Sequence, residues 1–376
     1  MPTHTTPLRS TLVPSPPCPL LARPLWLLRL RRLLRSVLSS GCTFSIYPNF
    51  KLAAQTNLLS ISDTRAKIPT LDPYLADIRA KNRAGAKPPI LAPFVVYDLP
   101  DRDCAAKASN GELAIASDGV NIYKTQYIDA IYNVLIKYPD INVVLIIEPD
   151  SLGNMVTNMN VPKCSGAASA YKDCTAYALK KLNLPNVTMY LDGAHAGWLG
   201  WPANMQPAAQ IFGDVFKAAG SPKAVRGLAT NVSNYNAYDI ATCPAITQVL
   251  AGISGVCDEH RYIKAIAPLL TSAGFPAHFI TDVGRSGKQP TGQQEWGHWC
   301  NVKGAGFGPK PTTNTGDALV DSLVWIKPGG ESDGTSDSSA TRYDSFCGSP
   351  SSFIPAPEAG TWFQAYFEQL LTNAAF

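Results

Sequence analysis

From about residue 58 onward, short apolar runs alternate with longer amphipathic segments. The apolar runs are Leu58–Asp63, Pro93–Asp98, Val143–Glu148, Val187–Asp192, Val225–Thr230, Ala277–Asp282 and Ala318–Lys327. Each has the length and β-branched content of a strand. Helical periodicity fills several of the gaps, at Tyr123–Tyr138, Ser169–Leu182 and Pro207–Ala219. Strands separated by helices pair in parallel, because a parallel crossover needs a long connection. Seven such units predict either a barrel or a doubly wound sheet.

The strand ends favour the barrel. Asp98, Glu148, Asp192, Asn231, Asp282 and Lys327 all stand at or just past the C-terminal end of an apolar run. In α/β barrels that rim is where ligands bind and chemistry occurs. An acidic strand end also caps the helix that follows, which is the plain structural reading of each one alone. Six polar ends in one register favour the rim. The segments Cys300–Gly316 and Pro328–Ser352 read as ordered covering loops, since Cys300 and Cys347 bracket them. Tandem repeats are absent, as is a Ser/Thr/Pro-rich linker.

Composition narrows the field further. At 376 residues, with 45% hydrophobic and 16% charged, the chain buries a large core as one α/β domain or two smaller ones. A net charge of +4 with no recurring basic stripe excludes a nucleic-acid binder. Nine cysteines without a CxxC pair exclude a structural zinc site. Several lie in loop-like stretches such as 101–104 and 162–164, which points to disulfides and an oxidising compartment. Cys174 lies in a helical run and reads as a buried thiol; if all bonds are internal, the odd total leaves at least one cysteine unpaired. Sequons at Asn186 and Asn231 add weak support for secretion, because both sit at strand edges. Residues 1–45 form an atypical Arg-rich segment ahead of a catalytic region at 46–376. Arginines interrupt the apolar stretch 23–35, so it neither spans a bilayer nor makes a clean signal peptide. It reads as a basic targeting helix or a misassigned gene start.

Three clusters carry chemistry. Tyr97 to Cys104 packs three aspartates and an arginine directly after a strand, against the plain reading of a solvated loop. Glu148-Pro149-Asp150 follows the most apolar strand, and Pro149 stops the ladder so that Asp150 is presented at the rim. Lys327 to Gly334 adds Glu331 and Asp333 in a Gly-rich loop. Carboxyls brought together on neighbouring strands repel, and one keeps its proton near neutral pH. Glycosidic cleavage needs that combination. Trp198 and Trp201, and likewise Trp296 and Trp299, stand among Gly, Ala and His, which leaves ring faces open for sugar stacking; ordinary packing is the competing reading. A Gly-x-Ser-x-Gly elbow and a phosphate-cradling loop are absent. The histidines, at 4, 195, 260, 278 and 298, form no metal-binding pair.

Six strings in order resemble glycoside hydrolase family 6, of the fungal cellobiohydrolase II type: VVYDLPDRDC (95–104), IIEPDSL (146–152), HAGWLGWPAN (195–204), GLATNVSNYN (227–236), TDVGRSGKQPTGQQ (281–294) and WIKPGGESDGTSDSS (325–339). The resemblance runs from about Ile68 to Phe376. It implies a distorted seven-stranded parallel β/α barrel, TIM-like, with loops near Asp101–Ala116 and Lys327–Pro357 roofing a substrate tunnel. It also implies a secreted monomer that hydrolyses β-1,4-glucosidic bonds with inversion. The expected partner is a cellulose or cello-oligosaccharide chain, with processive release of cellobiose from non-reducing ends. Neither metal nor organic cofactor is expected, nor any nucleic-acid or membrane partner.

Carried over residue by residue, the resemblance makes Asp150 the proton donor and Asp103 the neighbour that raises its pKa. Asp333 aligns with the proposed base, with a water chain through Ser109 as the other route. Tyr97 would help distort the sugar ring. Substrate contacts would be His195, Trp198, Trp201, Asn234, Trp299, Lys327 and Glu331. The implied disulfides are Cys104–Cys164 and Cys300–Cys347, with Cys243–Cys257 a further candidate pair.

Two departures stand out. Leu59-Ser60-Ile61-Ser62-Asp63-Thr64 replaces the family's Phe-x-Trp-Leu-Asp-Thr-like string, so Ile61 stands where a stacking tryptophan belongs. Asp192-Gly193-Ala194-His195 inverts the family's usual Ala-Gly order. The altered first strand raises one alternative, a non-catalytic glucan-binding barrel. The fold alone raises another, a metal-dependent barrel hydrolase.

Overall fold

The structure, a computed structural model, describes the backbone at 42–44, 52–54 and 60–62 and all atoms of residues 63–376. Apart from the backbone of Cys42–Phe44, the Arg-rich segment 1–45 lies outside the described residues, as does the side chain of Ile61. Strand β1 (Cys42–Phe44) pairs antiparallel with β2 (Leu52–Ala54).

The main sheet follows the predicted runs. Its strands are β3 (Ser60–Ser62), β4 (Ala92–Val96), β5 (Val143–Ile147), β6 (Val187–Asp192), β7 (Val225–Thr230), β8 (His278–Asp282) and β9 (Val320–Val324). They line up in chain order and every neighbouring pair is parallel. Strands β4 to β9 each end at or before the polar terminus predicted for them. Of the first predicted run, Ser60–Ser62 is a strand among the described residues.

The assembly is a parallel α/β half-barrel. No ladder joins β3 to β9 among the described residues. The free edge of β9 is covered instead by its own incoming loop, where Thr312 and Leu323 exchange backbone hydrogen bonds of 3.0 and 2.9 Å. A covered edge offers no donors to a closing strand.

Alternation along the strands sorts the core into two layers. Phe94, Val96, Leu145, Ile147, Met189, Leu191 and Leu228 face the helices. Val95, Val144, Ile146, Tyr190, Ala229 and Ile280 fill the concave side. Burial on both faces explains why β5 reads as an unbroken Val-Val-Leu-Ile-Ile.

The helices begin earlier than their periodicity predicts. The segment expected at Ser169–Leu182 is a helix at Pro162–Lys181, and the one expected at Pro207–Ala219 lies at Pro202–Ala218. In both, a proline occupies the first turn, where its missing N–H costs nothing. Pro207 sits inside the second helix, but it and Ala203, whose carbonyl loses its partner, are both exposed, so water serves instead. The third predicted segment is helical from Gly119 to Leu135, with a π-helical stretch at Tyr123–Ile128. Among the described residues, no helix is long and apolar enough to cross a membrane.

Disulfides join Cys104 to Cys164, Cys243 to Cys257 and Cys300 to Cys347. Cys174 is a buried free thiol.

Candidate active site

Most of the polar strand ends turn away from the cavity described below, and several brace the loops. Asp192 accepts from the backbone N–H of Asp150 (3.1 Å) and of Ala194 (3.2 Å). Asp282 accepts from Ser233, Gly284, Ile326 and Lys327, at 2.9 to 3.1 Å. Glu148 accepts from Asp98 and Leu99, and from the Tyr123 hydroxyl at 2.7 Å. Asn231 donates to the carbonyls of Asn236 and Asp282. Of the six predicted rim residues, only Lys327 lines the cavity described below. None of the other five caps the helix that follows, as the plain reading expects: Glu148, Asp192, Asn231 and Asp282 tie their loops to a neighbour, while Asp98 lies buried with Arg102 at 3.6 Å. The same amide bond and burial keep the Asn231 sequon inside the fold.

These braces hold backbone that would otherwise relax. Asp101, Asp103, Glu148, Asp150, Ala194, Asn231 and Ser233 all adopt φ between 51 and 60°. Non-glycine residues in that region cost about 1 kcal/mol or more each. The turns displace the cavity-facing side chains one or a few residues past the strand ends.

Above the concave core lies a cavity of about 720 Å³. Its walls include Tyr97, Asp103, Ser109, Asp150, His195, Trp198, Asn234, Trp299, Lys327, Glu331 and Asp333. Every site residue implied by the family resemblance except Trp201 is brought together there; Trp296, expected as a stacking ring, does not line the cavity either. Trp201 instead packs beside the helical layer, and its indole N–H donates to the Gly197 carbonyl at 3.1 Å. Both loops expected to roof the site contribute to the walls, through Ala105, Ala106 and Ser109 on one side and Glu331, Arg342 and Phe346 on the other. They also touch: the Lys107 N–H donates to Asp344 at 3.1 Å, and Ala108 packs on the Cys300–Cys347 bridge.

Asp103 and Asp150 form the charged centre. The Tyr97 hydroxyl donates to Asp103 at 2.7 Å. Arg102 stacks over the Tyr97 ring at 4.2 Å and donates to the carbonyls of Asp63, Tyr97 and Ser109, which fixes the loop between them. Burial raises the Asp103 carboxyl; the Tyr97 hydrogen bond and the charges of Arg102 and Lys163 oppose it without cancelling it. Asp150 is pushed further up, first by burial and then by the negative charges of Asp192, Asp103 and Asp333. Among the described residues no hydrogen bond reaches the Asp150 carboxyl. A carboxyl pushed up in this way, with no partner among the described residues, is placed to hand a proton into the cavity.

Asp333 is the opposite case. It receives two hydrogen bonds from one Arg285 nitrogen (2.7 and 2.9 Å), one from the Tyr235 hydroxyl (2.7 Å) and one from the Asn301 N–H (2.8 Å). Burial pushes its carboxyl up, but the charges of Arg285 and Lys327 and the hydrogen bonds outweigh that and hold it below the usual range. Two carboxyls in one cavity are thus driven apart in proton affinity, which is the arrangement acid–base cleavage requires.

The family model for glycosyl hydrolases family 6 matches residues 50–374. The chain belongs to that family. This family 6 chain is 67% identical over 312 residues to a probable 1,4-beta-D-glucan cellobiohydrolase C of Aspergillus niger, covering 83% of this chain and 67% of that protein. It is 63% identical over 335 residues to the 1,4-beta-D-glucan cellobiohydrolase C of Emericella nidulans, covering 89% and 72%. Among solved structures, it resembles the catalytic core domain of the cellobiohydrolase Cel6A from Chaetomium thermophilum, with a TM-score of 0.82, 62% identity and coverage of 85% and 88%. It also resembles a Humicola insolens Cel6A in complex with glucose and cellotetraose, with a TM-score of 0.81, 59% identity and coverage of 84% and 87%.

Sequence reasoning missed the residues that stand behind the family 6 site. Arg285, Tyr235 and Asn301 clamp Asp333 but carry no pattern of their own. Arg285 and Tyr235 do fall inside strings already singled out, at 281–294 and 227–236. Asp192 was visible as a strand end, and its place beside Asp150 was not.

Proposed function

We propose that this chain is a cellulose-hydrolysing cellobiohydrolase that cuts β-1,4-glucosidic bonds with inversion and releases cellobiose from non-reducing ends. One feature carries the reading: the Asp150 carboxyl stands on the cavity wall with no hydrogen-bond partner among the described residues, and burial and the neighbouring carboxylates push its pKa well above the ordinary value. The relatives named above are described as cellobiohydrolases, one of them bound to cellotetraose, which supports the substrate class.

In this reading Asp150 protonates the leaving glycosidic oxygen, and ionised Asp103 stabilises the positive charge that develops on the sugar. Tyr97 orients Asp103 and presses on the ring. Asp333 accepts the proton of the attacking water, directly or through a water chain that includes Ser109. Trp198 and Trp299 stack on pyranose faces, while His195, Asn234, Lys327 and Glu331 hold hydroxyls. The scheme uses no metal or organic cofactor.

The contact between the loops at Lys107 and Asp344 supports a roofed tunnel over a seven-stranded barrel and hence processive action. Residues 46–376 would form the catalytic unit, acting as a secreted monomer. Three disulfides support an oxidising destination. No observation at the site favours a binding-only barrel, because both acids and their supports are intact.

The test is Asp150→Ala. Hydrolysis of cellohexaose should fall by about 10²- to 10⁴-fold while binding persists. Near-normal turnover in that variant would reject the role of Asp150. The anomer first released by the unaltered protein, read by NMR, checks inversion.

A further inference from the structure

Behind His195 lies a chain of buried polar groups. The donor and acceptor identities along it can be fixed one after another. The indole N–H of Trp296 has only a proton to offer, and it sits 2.6 Å from Asn236 Oδ1. That atom of the amide is therefore the oxygen, and the NH2 group lies on the other side. There Nδ2 donates to Glu259 Oε1 at 2.8 Å and faces His195 Nδ1 at 3.3 Å. Glu259 Oε1 also accepts from the Ala196 N–H at 2.9 Å, so this carboxyl is anchored at the start of the turn that carries His195. An amide NH2 cannot accept, so His195 Nδ1 must be the acceptor, and the imidazole proton is left on Nε2.

Asn236 and Glu259 are buried, and none of the three positioning residues lines the cavity, whereas His195 does. Gly197 makes room for the arrangement: a Cβ there would meet the Trp296 ring at 2.9 Å. Burial keeps the imidazole neutral, with its pKa lowered to about 4.

We propose that Trp296, Asn236 and Glu259 are positioning residues that lock His195 as its neutral Nε2–H tautomer, so that the cavity meets a hydrogen-bond donor there and grips a sugar oxygen as acceptor. The sugar half of this inference rests on the glucan-hydrolase reading; the tautomer half does not. It also reassigns Trp296 from a stacking surface to a proton donor that sets the direction of a distant amide.

The test is long-range 1H–15N correlation on protein labelled with 15N-histidine, at neutral pH, with His195 assigned by its loss in His195→Gln. The unaltered protein should show a protonated Nε2 and a bare Nδ1. Asn236→Asp replaces the NH2 by an oxygen; the one proton it shares with Glu259 lies between the two carboxyls, and the oxygen toward His195 becomes an acceptor. The tautomer should then reverse to Nδ1–H, and cellotetraose affinity should fall by about fivefold to tenfold. A protonated Nδ1 in the unaltered protein, or an unchanged tautomer in folded Asn236→Asp, overturns the lock. A reversed tautomer with undiminished affinity overturns the gripping role. Failure of the unaltered protein to cleave glucan would count against the hydrolase reading alone, since the spectra do not depend on turnover.

Discussion

Replacing Tyr97 by Phe isolates one hydrogen bond at the charged centre. The phenyl ring keeps the shape of the tyrosine and its stacking with Arg102 at 4.2 Å, and only the 2.7 Å bond to Asp103 is lost. Burial already holds the Asp103 carboxyl above its ordinary value, and the Tyr97 bond is the foremost of the groups that pull it back. A hydrogen bond to a charged acceptor contributes about 1.5–3 kcal/mol. At about 1.4 kcal/mol per pH unit, its loss moves the Asp103 midpoint up by about one to two pH units. If ionised Asp103 is required for turnover, the acidic limb of the kcat profile moves upward by the same amount. The assay is kcat against pH on cellohexaose for both proteins. A limb that stays in place, with kcat lowered equally at every pH, would refute the electrostatic argument and leave Tyr97 acting on the sugar ring alone.

Ala194→Gly should raise stability by about 1 kcal/mol, read as a higher urea midpoint, because Ala194 holds φ at 51°; an unchanged or lower midpoint would mean that position is not strained. Stability should decline from mildly acidic to mildly alkaline pH. Burial raises Asp98 from 3.8 to about 8 and Glu148 and Glu259 from 4.5 to about 7, so the fold keeps protons that the unfolded chain releases. Their stabilisation is complete below the unfolded values and lost as pH rises through the folded ones, by a few kcal/mol in order of magnitude. The lowered carboxyls of Asp333 and Asp317 act in the opposite sense, losing their stabilisation as pH falls through their folded values. A Tm that rises steadily to pH 8 would contradict the sign. Replacing Cys300 and Cys347 together by Ser should cost up to about 4 kcal/mol for a loop closed over 47 residues. It should also lower kcat, because the neighbouring Asn301 N–H anchors Asp333; full activity in the reduced-loop variant would show that anchor to be dispensable.

The pattern of the chain determined the parallel α/β plan, since short continuous apolar runs, each followed by a longer helical stretch, admit few other folds. Long local strings also located the site: all but one of the residues they nominated share a single cavity. What local pattern did not reveal was direction. Glu148, Asp192 and Asp282 look like rim acids, yet each turns to satisfy backbone amides, Asp98 is buried beside Arg102, and Asp103 and Asp150 reach the cavity through left-handed turns just beyond them. Which strand-end acid binds a neighbouring loop and which faces the substrate depends on residues 40 to 50 positions away in sequence, as in the bonds from Glu148 to Asp98 and from Asp192 to Asp150. The same holds for proton affinity. Asp150 and Asp333 are chemically identical in sequence. Arg285, Tyr235 and Asn301 converge on one and leave the other bare, and only the folded chain brings them there.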